Sequence, residues 1–254
     1  KDNYKRYTKQ FFGKEGIAVP GVTTLDGTEM GGWIQYSLSP TVSAWISQHY
    51  YLQWRYSMDS VFLREKAWPW VRSTATFLEQ MTSVGKDGHR GLPMSSSPEI
   101  HDNDLRAWFL NTTNYDLALI RYDFDIAEKL AMALGLRAEA AHWRKLAAEL
   151  PPFALSANKE LMVAPGESYT ESHRHFSNLM AIHPLGLYQW DRSENDRAIM
   201  RNSIALLDKM GPDWWCGYSY AWLGNLKARA HDGDGAARTL TTFAKAFCST
   251  NSFH

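Results

Sequence analysis

The sequence predicts an all-α chain of sequential helical hairpins, and three observations carry that prediction. Apolar residues recur at helical spacing along most of the chain, capping signals bracket the periodic stretches, and the strand-and-helix alternation of a parallel α/β fold is missing. Hairpins in series suit an α/α toroid or an α-solenoid. A solenoid needs a fixed repeat period, and none is visible. The 254 residues are enough to bury a full core and are read as a single domain, residues 1–254.

The first hairpin opens at about Pro40, where Val42, Trp45, Ile46, His49 and Tyr56 recur at spacings of three, four and seven and predict one apolar face. After a turn at Met58-Asp59, Pro69 fits the first turn of a helix better than its interior, so a short helix and then a longer one are expected. The core face of the longer one includes Val71, Ala75 and Leu78. Thr113 and Asp116 form a capping-box pattern, from which a helix runs through Leu117, Ile120, Phe124, Ala127, Leu130 and Ala131 to a stop at Gly135. Its partner spans about residues 137–150, ended by Pro151-Pro152. A third pair is expected to join residues 175–187 to 193–210, with Ser193 and Asp196 as a second capping box. A fourth joins 217–230 to 235–247 across "HDGDG". That turn lacks the ligand series of an EF-hand calcium loop.

Two long segments, 13–39 and 84–111, lack sustained helical periodicity; loops of that length in a helical domain are functional or disordered, and their tryptophans and the proline-anchored "LPMSSSPE" argue for order. Formal net charge is zero, with no long run of like charge, so no nucleic-acid footprint is indicated. No apolar run is long enough to span a bilayer. Aromatics reach 13% of the chain, and Trp33, Trp108, Trp214 and Trp215 sit in irregular segments, where flat faces suit the apolar faces of sugar rings as well as the ends of helices. Cys216 and Cys248 have no metal-binding spacing and form no CxxC; they fit small core residues or one disulfide.

Two stretches hold side chains suited to chemistry. In "GLPMSSSPEIHDND", Glu99 follows small residues and a proline, outside any helical pattern. A carboxyl group held partly desolvated on such a loop can serve as a general acid. The residues alone also allow Glu99 to cap the next turn or to pair with Arg106. In "ESHRHFSNL", His173 and His175 lie two apart and could share one side only in an extended segment. Metal ligation would need a spacing of four or further ligands, so no metal is expected; neutral imidazoles around Arg174 suit recognition of hydroxyls or carboxylates, or a helix cap.

Taken in order, "SPTVSAWISQHYYLQWRYSMDSVFLREKAWPWVRSTATFL", "SSSPE", "HRHFSNLMAIHPLGL" and "GYSYAWLGNLKARAHDGDGAARTL" resemble glycoside hydrolase family 95, the α-L-fucosidase and α-L-galactosidase family built on an (α/α)6 barrel. "SNLMAIHP" in place of the usual "SHLYGLYP" marks a divergent member. The resemblance implies a toroid of which this chain holds about four of six hairpins, an inverting mechanism without cofactor, Glu99 as general acid, and Arg174 and His175 as sugar-binding residues, with His173 in support. A sugar-subsite tryptophan corresponds to Trp33. It also implies a secreted or periplasmic protein, and places the catalytic base and a pair of water-positioning asparagines in flanking segments of the same polypeptide. The expected substrate carries a terminal α-linked L-fucose or a related L-sugar. Two alternatives stand beside it: another α/α-toroid enzyme, including a polysaccharide lyase with a Tyr or His base near Arg174, and a non-catalytic carbohydrate-binding or scaffold protein.

Overall fold

The computed structural model describes residues 2–253. The chain forms two compact units, residues 1–152 and 153–254. Both are helical, as the periodicity predicts, and the strands among the described residues are limited to one two-residue pair.

The first unit begins with α1 (Asp2–Tyr7), which continues as a π-turn over Thr8–Phe12 and stops at Gly13. The long 13–39 segment is ordered, with a Thr23–Glu29 bridge and a single turn of helix, α2 (Ile34–Ser37). Helix α3 (Val42–Ser57) ends at Met58. Asp59 then caps α4 (Ser60–Phe62) by accepting from Val61 N at 2.7 Å and Phe62 N at 3.1 Å, and a π-turn over Leu63–Ala67 leads into α5 (Trp68–Met81), with Pro69 in its first turn. Pro69 sits there because the first turn has no intrahelical partner for an N–H. Strands β1 (Ser83–Val84) and β2 (Arg90–Gly91) pair antiparallel before α6 (Asn114–Ala133) and α7 (Arg137–Ala148).

Helix α6 is the centre of this unit, packed on α7, α5 and α3. Leu117, Ile120, Phe124, Ala127, Leu130 and Ala131 are all buried, as are Val71, Ala75 and Leu78 on α5. A fully buried side chain of the Leu, Ile or Phe size stabilises a fold by about 1.5–3 kcal/mol, so this helix carries much of the unit's hydrophobic energy.

Helix α3 departs from its expected face. Ser43, Ala44, Ser47, Gln48 and Trp54 are buried, whereas His49 is exposed and Tyr56 is 88% exposed. The reason is close packing: small side chains on α3 meet the bulky surface of α5 and α6, and Trp70 Nε1 donates to the Ser43 carbonyl at 3.4 Å. Behind them lies Asp123 of α6, fully buried, whose carboxyl oxygens make no well-formed hydrogen bond.

The second unit contains α8 (Glu194–Met210), α9 (Gly217–Arg229) and α10 (Gly233–Ala246), with α9 and α10 forming a hairpin. Ser193 caps α8 through Asp196 N at 3.0 Å. The "HDGDG" segment is a turn in which Asp232 accepts from Gly235 N at 2.8 Å, and no group of metal-binding side chains occurs among the described residues. The helix expected over 175–187 is absent. A 3-10 turn, Ser177–Leu179, is followed by irregular backbone. Pro184 has no N–H to donate and disfavours helix at His183, so the segment is held by side chains instead. Asn178 Nδ2 donates to the Leu161 carbonyl at 2.7 Å, Trp222 Nε1 to the His183 carbonyl at 3.0 Å, and Arg229 Nε to His183 Nδ1 at 3.1 Å. Burial and then the neighbouring Arg229 charge push the His183 imidazole down to about 4, so it accepts as a neutral ring at pH 7.

The buried Asp123 gives a test of this packing. Burial holds its carboxyl well above the ordinary 3.8, offset only in part by the nearby Ser47 hydroxyl, which donates to the Ser43 carbonyl at 3.1 Å. The folded state therefore holds its proton more tightly than the unfolded chain, so stability falls as pH rises from 3.8 through the folded-state value. Asp123→Asn is expected to raise stability at pH 7 by about 1–3 kcal/mol in urea denaturation, a gain that shrinks to nothing below the unfolded-state value.

Candidate active site

Glu99 lies at the tip of an excursion whose base is closed by Ser95 and Phe109, which exchange backbone hydrogen bonds at 2.9 and 2.8 Å. A buried cluster of hydroxyls around one carboxylate holds that base. Asp116, in the first turn of α6, accepts from Ser95 Oγ and from Thr41 Oγ1, each at 2.6 Å. Thr113, the cap of α6, donates to the Ser96 carbonyl at 2.9 Å and accepts from Asp116 N at 3.2 Å. Burial pushes the Asp116 carboxyl up to about 6, against the pull of Ser95, Thr41 and the Ser96 amide. The serine run that precedes Glu99 is thus structural: Ser95, Ser96 and Ser97 are all buried.

Beyond it the backbone turns left-handed, with φ of 58° at Glu99, 59° at His101 and 51° at Asp102. Such angles are uncommon for residues with a side chain and persist only where surroundings hold them. The cap and the Arg106 pair that the sequence also allowed for Glu99 belong to Asp104, whose Oδ1 accepts from Arg106 N at 2.9 Å and Arg106 Nε at 3.1 Å.

Two neighbours on α2 meet Glu99. Tyr36 donates its phenolic hydroxyl to Glu99 Oε1 at 2.5 Å, and the Gln35 side chain accepts from Glu99 N at 2.9 Å. Trp33, half-buried at the start of α2, stacks on Tyr36 with ring centroids 6.4 Å apart and planes 25° from parallel. Trp33 and Glu99, both expected at the site, are therefore brought together through Tyr36. The glycine at position 21 allows this: its N–H donates to the Tyr36 carbonyl at 2.9 Å, and a Cβ there would come within 2.9 Å of the Tyr36 Cβ.

In the second unit the histidine–arginine cluster is non-helical, the condition under which His173 and His175 can share one side. The rings of His173 and His175 lie 5.6 Å apart, and His175 N donates to His173 Nδ1 at 3.1 Å. His173 is buried, and its own N–H donates to the Tyr169 hydroxyl at 3.1 Å. The half-buried Arg174 is fixed through its carbonyl, which accepts from Ser219 Oγ at 2.7 Å, and the Tyr218 hydroxyl lies 3.1 Å from His175 Nε2. Ser172 Oγ donates to the Gly211 carbonyl at 2.7 Å and accepts from Trp214 N at 3.1 Å, and Phe176 packs edge-on against Trp215. Cys216 and Cys248 are both unbridged thiols.

Gln35, Tyr36 and Ser219 escaped the sequence reading, and Asp116 entered it only as half of a capping box. Tyr36 and Glu99 are 63 positions apart, so no local spacing links them. The one available signal was a glutamine set among apolar residues in "GGWIQYSL".

An all-α chain that mounts a carboxyl group beside an aromatic pair on a long ordered loop has the parts of a carbohydrate-cleaving enzyme. The chain belongs to glycoside hydrolase family 95: the model of the glycosyl hydrolase family 95 catalytic domain matches residues 1–254. A curated relative, "Alpha-L-fucosidase 2" of Arabidopsis thaliana, is 26% identical over 213 residues, which cover 81% of this chain. The chain spans about a quarter of that relative's length, the matched part being 25%. No helix among the described residues is long and apolar enough to cross a membrane.

The Ser219 contact gives a direct expectation. Ser219→Ala removes the bond to the Arg174 carbonyl and the one Ser219 Oγ accepts from Cys216 N at 3.2 Å, so it should cost about 1–2 kcal/mol of stability in denaturant titration.

Proposed function

We propose that this chain is part of an inverting exo-glycosidase that releases a terminal α-linked L-fucose or a related L-sugar, with Glu99 as the general acid. The observation that carries this reading is the hold on Glu99: its carboxyl takes the Tyr36 hydroxyl, its backbone is pinned by Gln35, and Trp33 stacks beside it. A general acid must be aimed at one oxygen, and a loop held this way can aim it. Family membership and the fucosidase relative support the reaction class.

In the proposed step Glu99 gives its proton to the glycosidic oxygen as the bond from the anomeric carbon to that oxygen breaks. A water on the opposite face forms the new bond to that carbon and passes its proton to a base, proposed to lie in a flanking segment of the same polypeptide. Arg174 and His175 bind sugar hydroxyls, His173 orients His175, and Trp33 packs against the sugar ring. The two compact units are proposed to act as one catalytic domain, part of a six-hairpin toroid.

In the full-length protein, Glu99→Gln should lower kcat on a terminally α-L-fucosylated oligosaccharide by about 10²–10⁴-fold. Arg174→Ala should raise KM. The 254-residue chain alone is expected to release no fucose from an aryl α-L-fucoside; turnover by it, lost on Glu99→Gln, would confirm the acid and refute the assignment of the base elsewhere.

One observation favours a second reading. The Tyr218 hydroxyl beside His175, next to Arg174, is the kind of base a polysaccharide lyase uses. A lyase leaves an unsaturated uronide that absorbs in the ultraviolet; incubation with uronate polysaccharides is expected to yield no such absorbance.

A further inference from the structure

Every polar atom of the Gln35 side chain is committed to the loop that carries Glu99. Oε1 accepts from Glu99 N at 2.9 Å, and Nε2 donates to the carbonyls of Asp102 at 2.7 Å and Ile100 at 3.2 Å. Gln35 is 2% exposed, so water does not compete for these bonds. They span the three left-handed residues Glu99, His101 and Asp102, and bracket them. The loop's own backbone supplies turn contacts there, Ile100 N to the Ser97 carbonyl and Asp102 N to the Glu99 carbonyl, each at 3.1 Å, and Asp104 N to the His101 carbonyl at 3.2 Å.

The chemistry of the side chain matters as much as its reach. Only an amide presents one acceptor to an N–H and two donors to carbonyls. A glutamate would set a second oxygen against the carbonyls of Ile100 and Asp102, and an asparagine is one methylene too short. The next residue, Tyr36, takes the Glu99 carboxyl itself. One turn of helix thus holds both the backbone and the acid group of the same residue.

We infer that Gln35 is the positioning residue of the general acid: it sets the loop conformation that aims the Glu99 carboxyl, without touching substrate. The inference rests on the glycosidase reading and adds to it a residue whose loss should damage proton donation selectively. Protonation of the leaving oxygen is needed for an alcohol leaving group and far less for fluoride, which departs readily as an anion.

The test compares the full-length protein with Gln35→Met and Gln35→Glu on two substrates, a terminally α-L-fucosylated oligosaccharide and α-L-fucosyl fluoride. Gln35→Met is expected to lose at least tenfold in kcat on the oligosaccharide, with KM and the fluoride rate changed by less than about threefold. Gln35→Glu should lose as much at pH 7 and recover part of the loss, relative to the parent protein, toward acidic pH, where the introduced carboxyl is protonated and regains a donor for the loop carbonyls. Equal losses on both substrates, with no recovery in acid, would overturn the positioning role while leaving the glycosidase reading intact. A parent protein that hydrolyses neither substrate would overturn that reading and this inference with it. If Gln35→Met melts well below the parent in circular dichroism, Gln35→Glu alone decides: acid-restored activity on the oligosaccharide supports the role, and its absence refutes it.

Discussion

The buried carboxylate of Asp116 is the constraint on which the first unit depends. Taking a carboxylate out of water is costly unless hydrogen bonds replace its hydration, and Asp116 finds them on two separate pieces of chain. Thr41 comes from the entry to α3 and Ser95 and Ser96 from the long loop, while Asp116 itself stands in the first turn of α6, where its N–H donates to the Thr113 cap. Because the group has no other source of compensation, those pieces must meet at one point. Registering α3 on α6 therefore also registers the base of the Glu99 loop.

That linkage explains how a mostly helical scaffold can hold chemistry in irregular backbone. Helices α5, α6 and α7 supply hydrophobic energy, and their close packing makes a rigid floor. The loops above it hold themselves through side chains: hydroxyls around Asp116 at the base, and Gln35 and Tyr36 at the tip. The second unit solves the same problem in the same way. Ser172 binds the Gly211 carbonyl just past α8 and Ser219 of α9 binds the Arg174 carbonyl, and with Phe176 against Trp215 they fix Arg174 and His175 without a regular element beneath them.

Family membership gives the parts their context, and the geometry assigns them different duties. Glu99 is on a held loop, while the nearby Asp104 is an exposed cap. The histidine pair likewise divides: His173 is buried and braces the main chain, and His175 reaches the Tyr218 hydroxyl.

Most helices were legible because their signals are local. The helix caps at Thr113 and Ser193, the proline at position 69 and the apolar spacing of α5 and α6 each need only neighbours within a turn or two, and each appears where the pattern predicts. The expected helix over 175–187 failed because Pro184 and contacts from Trp222 and Arg229 outweigh a helical pattern of apolar residues, and the buried face of α3 was missed because small polar residues, not large apolar ones, allow it to approach α6. Sequence alone determined the helical class, the caps, the family resemblance and the identity of Glu99, Trp33, His173, Arg174 and His175 as candidates. Only the tertiary structure decided that Tyr36 meets Glu99, that Gln35 holds its backbone and that Asp116 anchors its loop, because those partners are joined by hydrogen bonds across 21 to 75 positions of chain, where no periodicity reaches.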